Sequence, residues 1–128
     1  MHSKIKSVLA ACVLVGSAIA FPDAHAHAHV DAVRGKALYA NRCSGCHSVE
    51  FNRTGPMHRG VVGRRVGGVT SFRYSPALTG RKQVWNAKLL MKWLANPEAL
   101  FPGQDMGYAV VDTQDRADLV AYLTTLKP

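Results

Sequence analysis

Cys43-Ser44-Gly45-Cys46-His47 is the stretch of sequence that decides the fold. Two cysteines three positions apart, followed at once by a histidine, have the spacing for covalent attachment of a haem group. Each thiol can form a thioether with a haem vinyl group, and the histidine can then bind the iron. A thioredoxin-like dithiol and half of a zinc site use similar residues and are the two alternatives.

The sequence around this stretch favours haem over both alternatives. A thioredoxin-like dithiol needs a strand–helix–strand context, whereas the flanking residues have helical periodicity. A structural zinc site needs about four Cys or His ligands, and the other histidines do not complete such a set. The third cysteine, Cys12, belongs to a leader segment. We therefore predict one haem c, bound covalently through Cys43 and Cys46 with His47 as an iron ligand.

The first 28 residues have the pattern of a secretory signal peptide. Lys4 and Lys6 precede a short apolar run, and small-residue cleavage sites follow between residues 20 and 28. The run is shorter than the roughly 20 residues that a membrane span needs. We predict cleavage in that interval and export of one mature domain, 29–128, to a periplasm. Lipidation of Cys12 is an alternative.

The composition is basic, with 16 Lys and Arg against 8 Asp and Glu. A basic surface speeds encounter with acidic partners. The basic residues are scattered and are not interleaved with an aromatic platform, and an exported protein rarely meets nucleic acid. We therefore predict acidic-surfaced protein partners and no nucleic acid.

The apolar periodicity predicts three helices, at 31–42, at 86–96 and from an N-cap near Thr113 towards residue 126. The predicted buried face of the first helix contains Val30, Val33, Ala37 and Leu38. No strand is predicted.

Two segments, 48–82 and 98–111, are predicted to be loops because glycine and proline punctuate them. An irregular segment as long as the first is unusual in a compact domain. It is explained if the loop surrounds a haem.

With these elements in place, the chain resembles the class I c-type cytochromes, the soluble mitochondrial and bacterial type, over about residues 32–126. The motifs that carry the resemblance are Gly35-Lys-Ala-Leu-Tyr39, Cys43-Ser-Gly-Cys46-His47, Gly55-Pro56, Gly63-Arg64, Phe72-Arg-Tyr74, Trp85, Asn96-Pro97, Phe101-Pro-Gly-Gln-Asp-Met106 and Asp118-Leu-Val-Ala-Tyr-Leu123. The resemblance implies an all-α cytochrome c fold, with three to five helices around one covalently attached haem. Its first and last helices would cross at Gly35, Tyr39 and Tyr122.

The resemblance also implies roles for particular residues. Met106 would be the iron ligand opposite His47, and Pro56 would accept a hydrogen bond from the His47 ring. One haem propionate would be bound by three donors, Arg64, Tyr74 and Trp85. Asp105 stands where the family often has a lysine, which removes one cation from the expected docking face.

These features imply a soluble one-electron carrier and not an enzyme, because His47 and Met106 would fill both axial positions of the iron. The expected partners are a membrane oxidase, reductase or dehydrogenase, met in transient complexes at the membrane surface. The protein would be a monomer. A fixed electron-transfer subunit of a larger oxidoreductase and a small haem peroxidase are the alternatives.

Overall fold

The computed structural model describes residues 29–128, which contain four helices and two long irregular segments. The helices are α1 (Ala32–Arg42), α2 (Ala87–Ala95), α3 (Pro97–Leu100) and α4 (Thr113–Thr125). This range contains no strand beyond an isolated antiparallel bridge between Arg65 and Val84. None of its helices is long and apolar enough to cross a membrane. The predicted all-α class is confirmed, and the predicted signal peptide, 1–28, lies outside the described residues.

Each of the three longer helices begins at a polar side chain that caps its first turn. Asp31, Asn86 and Asp112 accept hydrogen bonds from backbone N–H groups two or three residues later. Such caps satisfy N–H groups that have no partner inside the helix. The predicted helices therefore begin within a residue of their observed starts, although the cap of α4 is Asp112 and not Thr113.

The predicted loop over 98–111 is wrong at its start, because α3 follows α2 after a single residue. That residue, Asn96, ends α2 and caps α3 by accepting a hydrogen bond from the Ala99 N–H at 3.0 Å. Pro97 then stands in the first turn of α3, where its missing N–H costs nothing. The same proline that ends one helix starts the next.

The helices α1 and α4 cross in direct backbone contact at Gly35. A Cβ atom at this position would lie 1.9 Å from the backbone oxygen of Asp118, so a larger residue would force the helices apart. Beside it, the ring centroids of Tyr39 and Tyr122 are 5.3 Å apart. The crossing expected from the resemblance is confirmed.

Two buried carboxylates of α4 are neutralised by arginines of α1. Arg34 forms ion pairs with both Asp115 and Asp118, and Nη2 of Arg42 lies 2.9 Å from Oδ2 of Asp115. Asp118 also accepts a hydrogen bond from the Asp31 N–H at 2.8 Å. Burial alone would raise the pKa of Asp118, but these hydrogen bonds outweigh that effect and hold its pKa below the usual value.

The buried face of α1 consists of Gly35 and Tyr39. The prediction that Val30, Val33 and Ala37 lie on this face is wrong, whereas Leu38 is half-buried and packs against the core. Val33 is 80% exposed and Val30 is 50% exposed. Val33 stands two residues before Gly35, about 200° around the helix, and so points away from α4.

The remaining core residues come from α2, α4 and the irregular segments. They are Val61, Val66, Trp85, Leu90, Trp93, Leu94, Phe101, Val110, Leu119, Val120 and Leu123. Several of them also form the walls of an internal cavity.

Candidate functional site

A cavity of about 590 Å³ lies between the helices and the irregular segments. The sequence singles out eight site residues, and all eight line this cavity: Cys43, Cys46, His47, Pro56, Arg64, Tyr74, Trp85 and Met106. Residues that are far apart in the chain are therefore brought to one site.

Cys43 and Cys46 form the tight turn that follows α1. The N–H groups of Cys46 and His47 both donate to the Cys43 carbonyl, at 3.1 and 2.8 Å, and this closes the turn. Burial raises the pKa of the Cys43 thiol to about 11, so the thiol is protonated at neutral pH. Cys46 is exposed and also lines the cavity.

His47 is fixed by the backbone of Gly55 and Pro56. Its Nδ1 atom lies 2.8 Å from the Pro56 carbonyl oxygen, which is the hydrogen bond that the resemblance implies. Because Nδ1–H donates to that oxygen, Nε2 is left as the metal-binding atom. Burial lowers the pKa of His47, so the ring is neutral at pH 7, as a metal ligand must be. A Cβ atom at Gly55 would lie 2.2 Å from Cε1 of this ring.

The zinc alternative finds no ligand set among the residues that the structure describes. Within residues 29–128, no three His, Cys, Asp or Glu side chains come together as a candidate metal site. A structural zinc ion requires about four such ligands.

Arg64 and Tyr74 are partly engaged by the protein and retain unused hydrogen-bond donors. Arg64 donates to the carbonyl oxygens of Met57 and Arg59, at 2.7 and 3.1 Å, and a guanidinium group has five N–H donors in all. The Tyr74 oxygen accepts a hydrogen bond from the Val69 N–H at 3.3 Å, so its own hydrogen remains available. Both side chains can therefore donate to an anionic group in the cavity.

Ser75 is a member of the site that the sequence analysis missed. Its hydroxyl oxygen is buried and has no hydrogen-bond partner among the described residues. Because buried polar groups are nearly always hydrogen-bonded, this hydroxyl indicates that the cavity accommodates a molecule with a polar group. The signal in the sequence is weak: Ser75 directly follows Tyr74.

Met106 lies in the segment that follows α3, and hydrogen bonds within that segment hold it. Its N–H donates to Oε1 of Gln104 at 2.5 Å. The Glu98 carboxylate accepts hydrogen bonds from the Gly103 N–H and from the Gln104 amide, at 2.9 and 3.3 Å. Met106 is partly buried and packs against the core, and the apolar side chain of Trp93 lines the same cavity.

The donor set fits a haem c. Two thiols on one turn match the two vinyl groups, a neutral imidazole and a thioether match the axial positions of the iron, and buried donors match a carboxylate. The apolar walls suit a macrocycle.

Comparisons with known proteins point to a single family. The family model described as Cytochrome c matches residues 32–127. The chain is 42% identical over 100 residues to cytochrome c of Euglena viridis, and this match covers 76% of this chain and 98% of that protein. It is 41% identical over 100 residues to cytochrome c2 of Rhodopila globiformis, and this match covers 76% of this chain and 94% of that protein. Among solved structures, cytochrome cH from Methylobacterium extorquens has a TM-score of 0.70 at 36% identity, covering 74% of this chain and 98% of that one.

Proposed function

The chain belongs to the cytochrome c family, and we propose that it carries single electrons through a haem c bound by Cys43, Cys46, His47 and Met106. Electron transfer is the function of the family, and its cofactor is a covalently attached haem c. The observation that carries the residue assignments is that one cavity brings together both cysteines, the neutral histidine and the methionine.

The haem supplies an iron that exchanges one electron between the ferric and ferrous states. Cys43 and Cys46 hold the macrocycle through thioether bonds, so the cofactor cannot dissociate. The hydrogen bond from His47 to Pro56 fixes the tautomer and strengthens the nitrogen donor. The Met106 thioether favours the ferrous state relative to a second imidazole and raises the potential. If His47 and Met106 both hold the iron, they would leave no position on it for a substrate.

One haem propionate is bound by Arg64, Tyr74 and Trp85, together with Ser75. A buried carboxylate is costly unless it is hydrogen-bonded. The unpartnered Ser75 hydroxyl and the available Tyr74 hydrogen support this assignment.

Charge is divided unevenly between two parts of the chain. Residues 29–92 contain 12 Lys and Arg against 2 Asp and Glu, whereas residues 93–128 contain 2 against 5. At the cavity, Arg73 comes from the first part and Asp105 from the second. An acidic partner surface is therefore attracted to the part that contains Cys46, and the segment around Met106 contributes little attraction.

The mature domain acts as a monomer in a periplasm, where it meets a membrane oxidase, reductase or dehydrogenase transiently. The signal-peptide pattern of residues 1–28 supports export. The basic surface supports fast, weak complexes with acidic redox proteins.

The test is a redox titration of the exported holoprotein, followed by addition of carbon monoxide to the reduced form. We expect a reversible one-electron transition, a low-spin spectrum in both states and no spectral change with carbon monoxide. Ready binding of carbon monoxide would contradict the carrier function and favour a peroxidase. Cell fractionation checks the location, and stable co-purification with an oxidoreductase would indicate a fixed subunit.

A further inference from the structure

His58 is a second histidine in the wall of the cavity, and the sequence analysis gives it no role. Its ring stacks on the ring of His47, with centroids 4.2 Å apart and an interplanar angle of 20°. Its Nδ1 atom lies 3.1 Å from the Tyr39 hydroxyl oxygen. Both His58 and Tyr39 line the cavity.

The surroundings of His58 keep its ring neutral and its backbone fixed. Burial, together with the neighbouring His47 and Arg64, lowers the pKa of His58 to about 3. Arg64 donates to the carbonyl groups of the residues on either side, Met57 and Arg59. A neutral His58 ring can pack face to face against the neutral His47 ring without placing a positive charge beside it.

Ring contacts connect His58 to the helix crossing. Tyr39 lies on α1 and is only 5% exposed. Its ring centroid is 5.6 Å from that of His58 and 5.3 Å from that of Tyr122 on α4. The position of the His58 ring is therefore determined by the packing of two helices, and not only by its own loop.

We infer that His58 is a positioning residue, whose ring fixes the rotation of the His47 imidazole about its bond to the iron. The Tyr39 hydroxyl in turn fixes His58. The inference rests on the proposed role of His47 as an iron ligand. An axial imidazole can turn about the metal–nitrogen bond, and Pro56 restrains it at one atom, whereas a stacked ring restrains its whole face. Restraint of a metal ligand by its neighbours is the general way in which proteins fix ligand orientation.

The experiment measures the electron paramagnetic resonance of the ferric holoprotein and the proton shifts of its haem methyl groups. Both depend on the direction of the axial imidazole plane. We compare the wild type with His58→Leu, His58→Phe and Tyr39→Phe. Tyr122→Phe is the matched control, because it removes a tyrosine hydroxyl from the same aromatic series at a residue that does not contact His58.

We expect His58→Leu to shift the largest g value, and to change the order or spread of the methyl shifts, by more than the wild-type line width. Tyr39→Phe should shift them in the same direction by less. His58→Phe keeps a stacked ring, so its g values and methyl shifts should be closer to those of the wild type than the values of His58→Leu are. Tyr122→Phe should match the wild type.

Unchanged g values and methyl shifts in both His58→Leu and Tyr39→Phe would overturn the inference, because His58 would then only fill space. Equal shifts in His58→Phe and His58→Leu would also overturn it, since stacking would not be the cause. If His58→Leu does not fold, His58→Phe and Tyr39→Phe still test the inference. Wild-type g values and methyl shifts in both of these variants would count against it. A wild-type protein without a low-spin histidine-ligated iron would instead refute the proposed function itself.

Discussion

The two parts of the cavity that contain the proposed iron ligands, His47 and Met106, are built in different ways. His47 is restrained by Gly55, Pro56 and His58, and through Tyr39 by the crossing of α1 and α4. We call residues 43–58 the histidine segment. Residues 101–112, the methionine segment, are anchored near both ends by the core residues Phe101 and Val110, and the Val110 N–H donates to the Leu94 carbonyl at 2.7 Å. Between these two anchors, the hydrogen bonds that hold the segment are short-range.

This difference indicates which ligand is the weaker. Several independent contacts restrain the histidine, so the loss of one of them does not release it. Between Phe101 and Val110, the backbone at Met106 is held by a few local hydrogen bonds, and each such bond contributes only about 1 kcal/mol. Ligand exchange should therefore occur on the methionine side.

The largest effect is expected from the same substitution made in both segments. Gly55→Ala places a Cβ atom 2.2 to 2.7 Å from three atoms of the His47 ring, whereas Gly107→Ala meets no protein atom of residues 29–128 within 4 Å. We expect Gly55→Ala to lower the free energy of unfolding by about 3 kcal/mol or more, and Gly107→Ala to change it by less than about 1 kcal/mol. Denaturant unfolding of the holoprotein measures both. Equal losses would remove the distinction between the segments.

The second effect concerns the helix crossing behind the histidine segment. Asp118→Asn removes the charge that pairs with Arg34, and we expect a loss of roughly 2 to 3 kcal/mol at pH 7. Asp105→Asn is the control, because Asp105 is exposed and forms no ion pair among the described residues. This control should lower the free energy of unfolding by less than about 0.5 kcal/mol. The unfolding midpoints of both variants in denaturant measure these differences. Similar losses of stability in Asp118→Asn and Asp105→Asn would contradict the importance of the buried ion pair.

The same variant has a pH dependence whose direction follows from the Asp118 carboxyl. Its pKa is lower in the folded protein than in the unfolded chain, so its stabilisation is complete above the unfolded pKa of about 4. The stabilisation is lost as the pH falls through the folded pKa. The difference between wild type and Asp118→Asn should therefore shrink in acid, and a difference that grows in acid would contradict the assignment.

The sequence predicts the parts of the site whose chemistry is local in the chain. The turn from Cys43 to His47 is complete within five residues, and Met106 is preceded by a recognisable turn. Helix ends are equally local, because Asn86 and Asp112 act on N–H groups in the next turn. These features need no knowledge of the rest of the fold.

The features that the sequence did not predict depend on contacts between distant residues. His58 acquires its role from Tyr39, 19 positions away, and the residues beside His58 do not distinguish it from a surface histidine. Ser75 becomes notable only when its hydroxyl is seen to be buried without a partner. Val33 is apolar and was expected in the core, but the buried face of α1 is set by the close approach at Gly35.

A third effect sharpens the comparison on the methionine side. Gln104→Ala removes the acceptor of the Met106 N–H and one partner of Glu98, which should favour the open loop by about 1 kcal/mol. Free imidazole, which competes with Met106 for ferric iron, should then bind about fivefold more tightly. Gln83→Ala removes an exposed glutamine outside both segments and should leave the imidazole affinity unchanged. An unchanged affinity in Gln104→Ala would show that these bonds do not hold the methionine.

The smallest effect concerns the division of charge. Removing one cation beside the cavity, Arg73→Gln, should slow reduction by a small anionic reductant about twofold at low salt, and Asp105→Asn should speed it about twofold. Both differences should disappear in high salt, because screening is then complete within a few ångströms. Stopped-flow reduction at two salt concentrations measures them. Changes of the same sign in both variants would contradict the charge division.

The most direct test of the central claim, that His47 and Met106 both bind the haem iron, is the far-red absorption of the ferric protein. Methionine bound to ferric haem gives a weak band in that region. We predict that the wild type and Met57→Leu show this band and that Met106→Leu lacks it and binds carbon monoxide when reduced. Persistence of the band in Met106→Leu, or its absence from the wild type, would contradict the assignment of Met106 as an iron ligand.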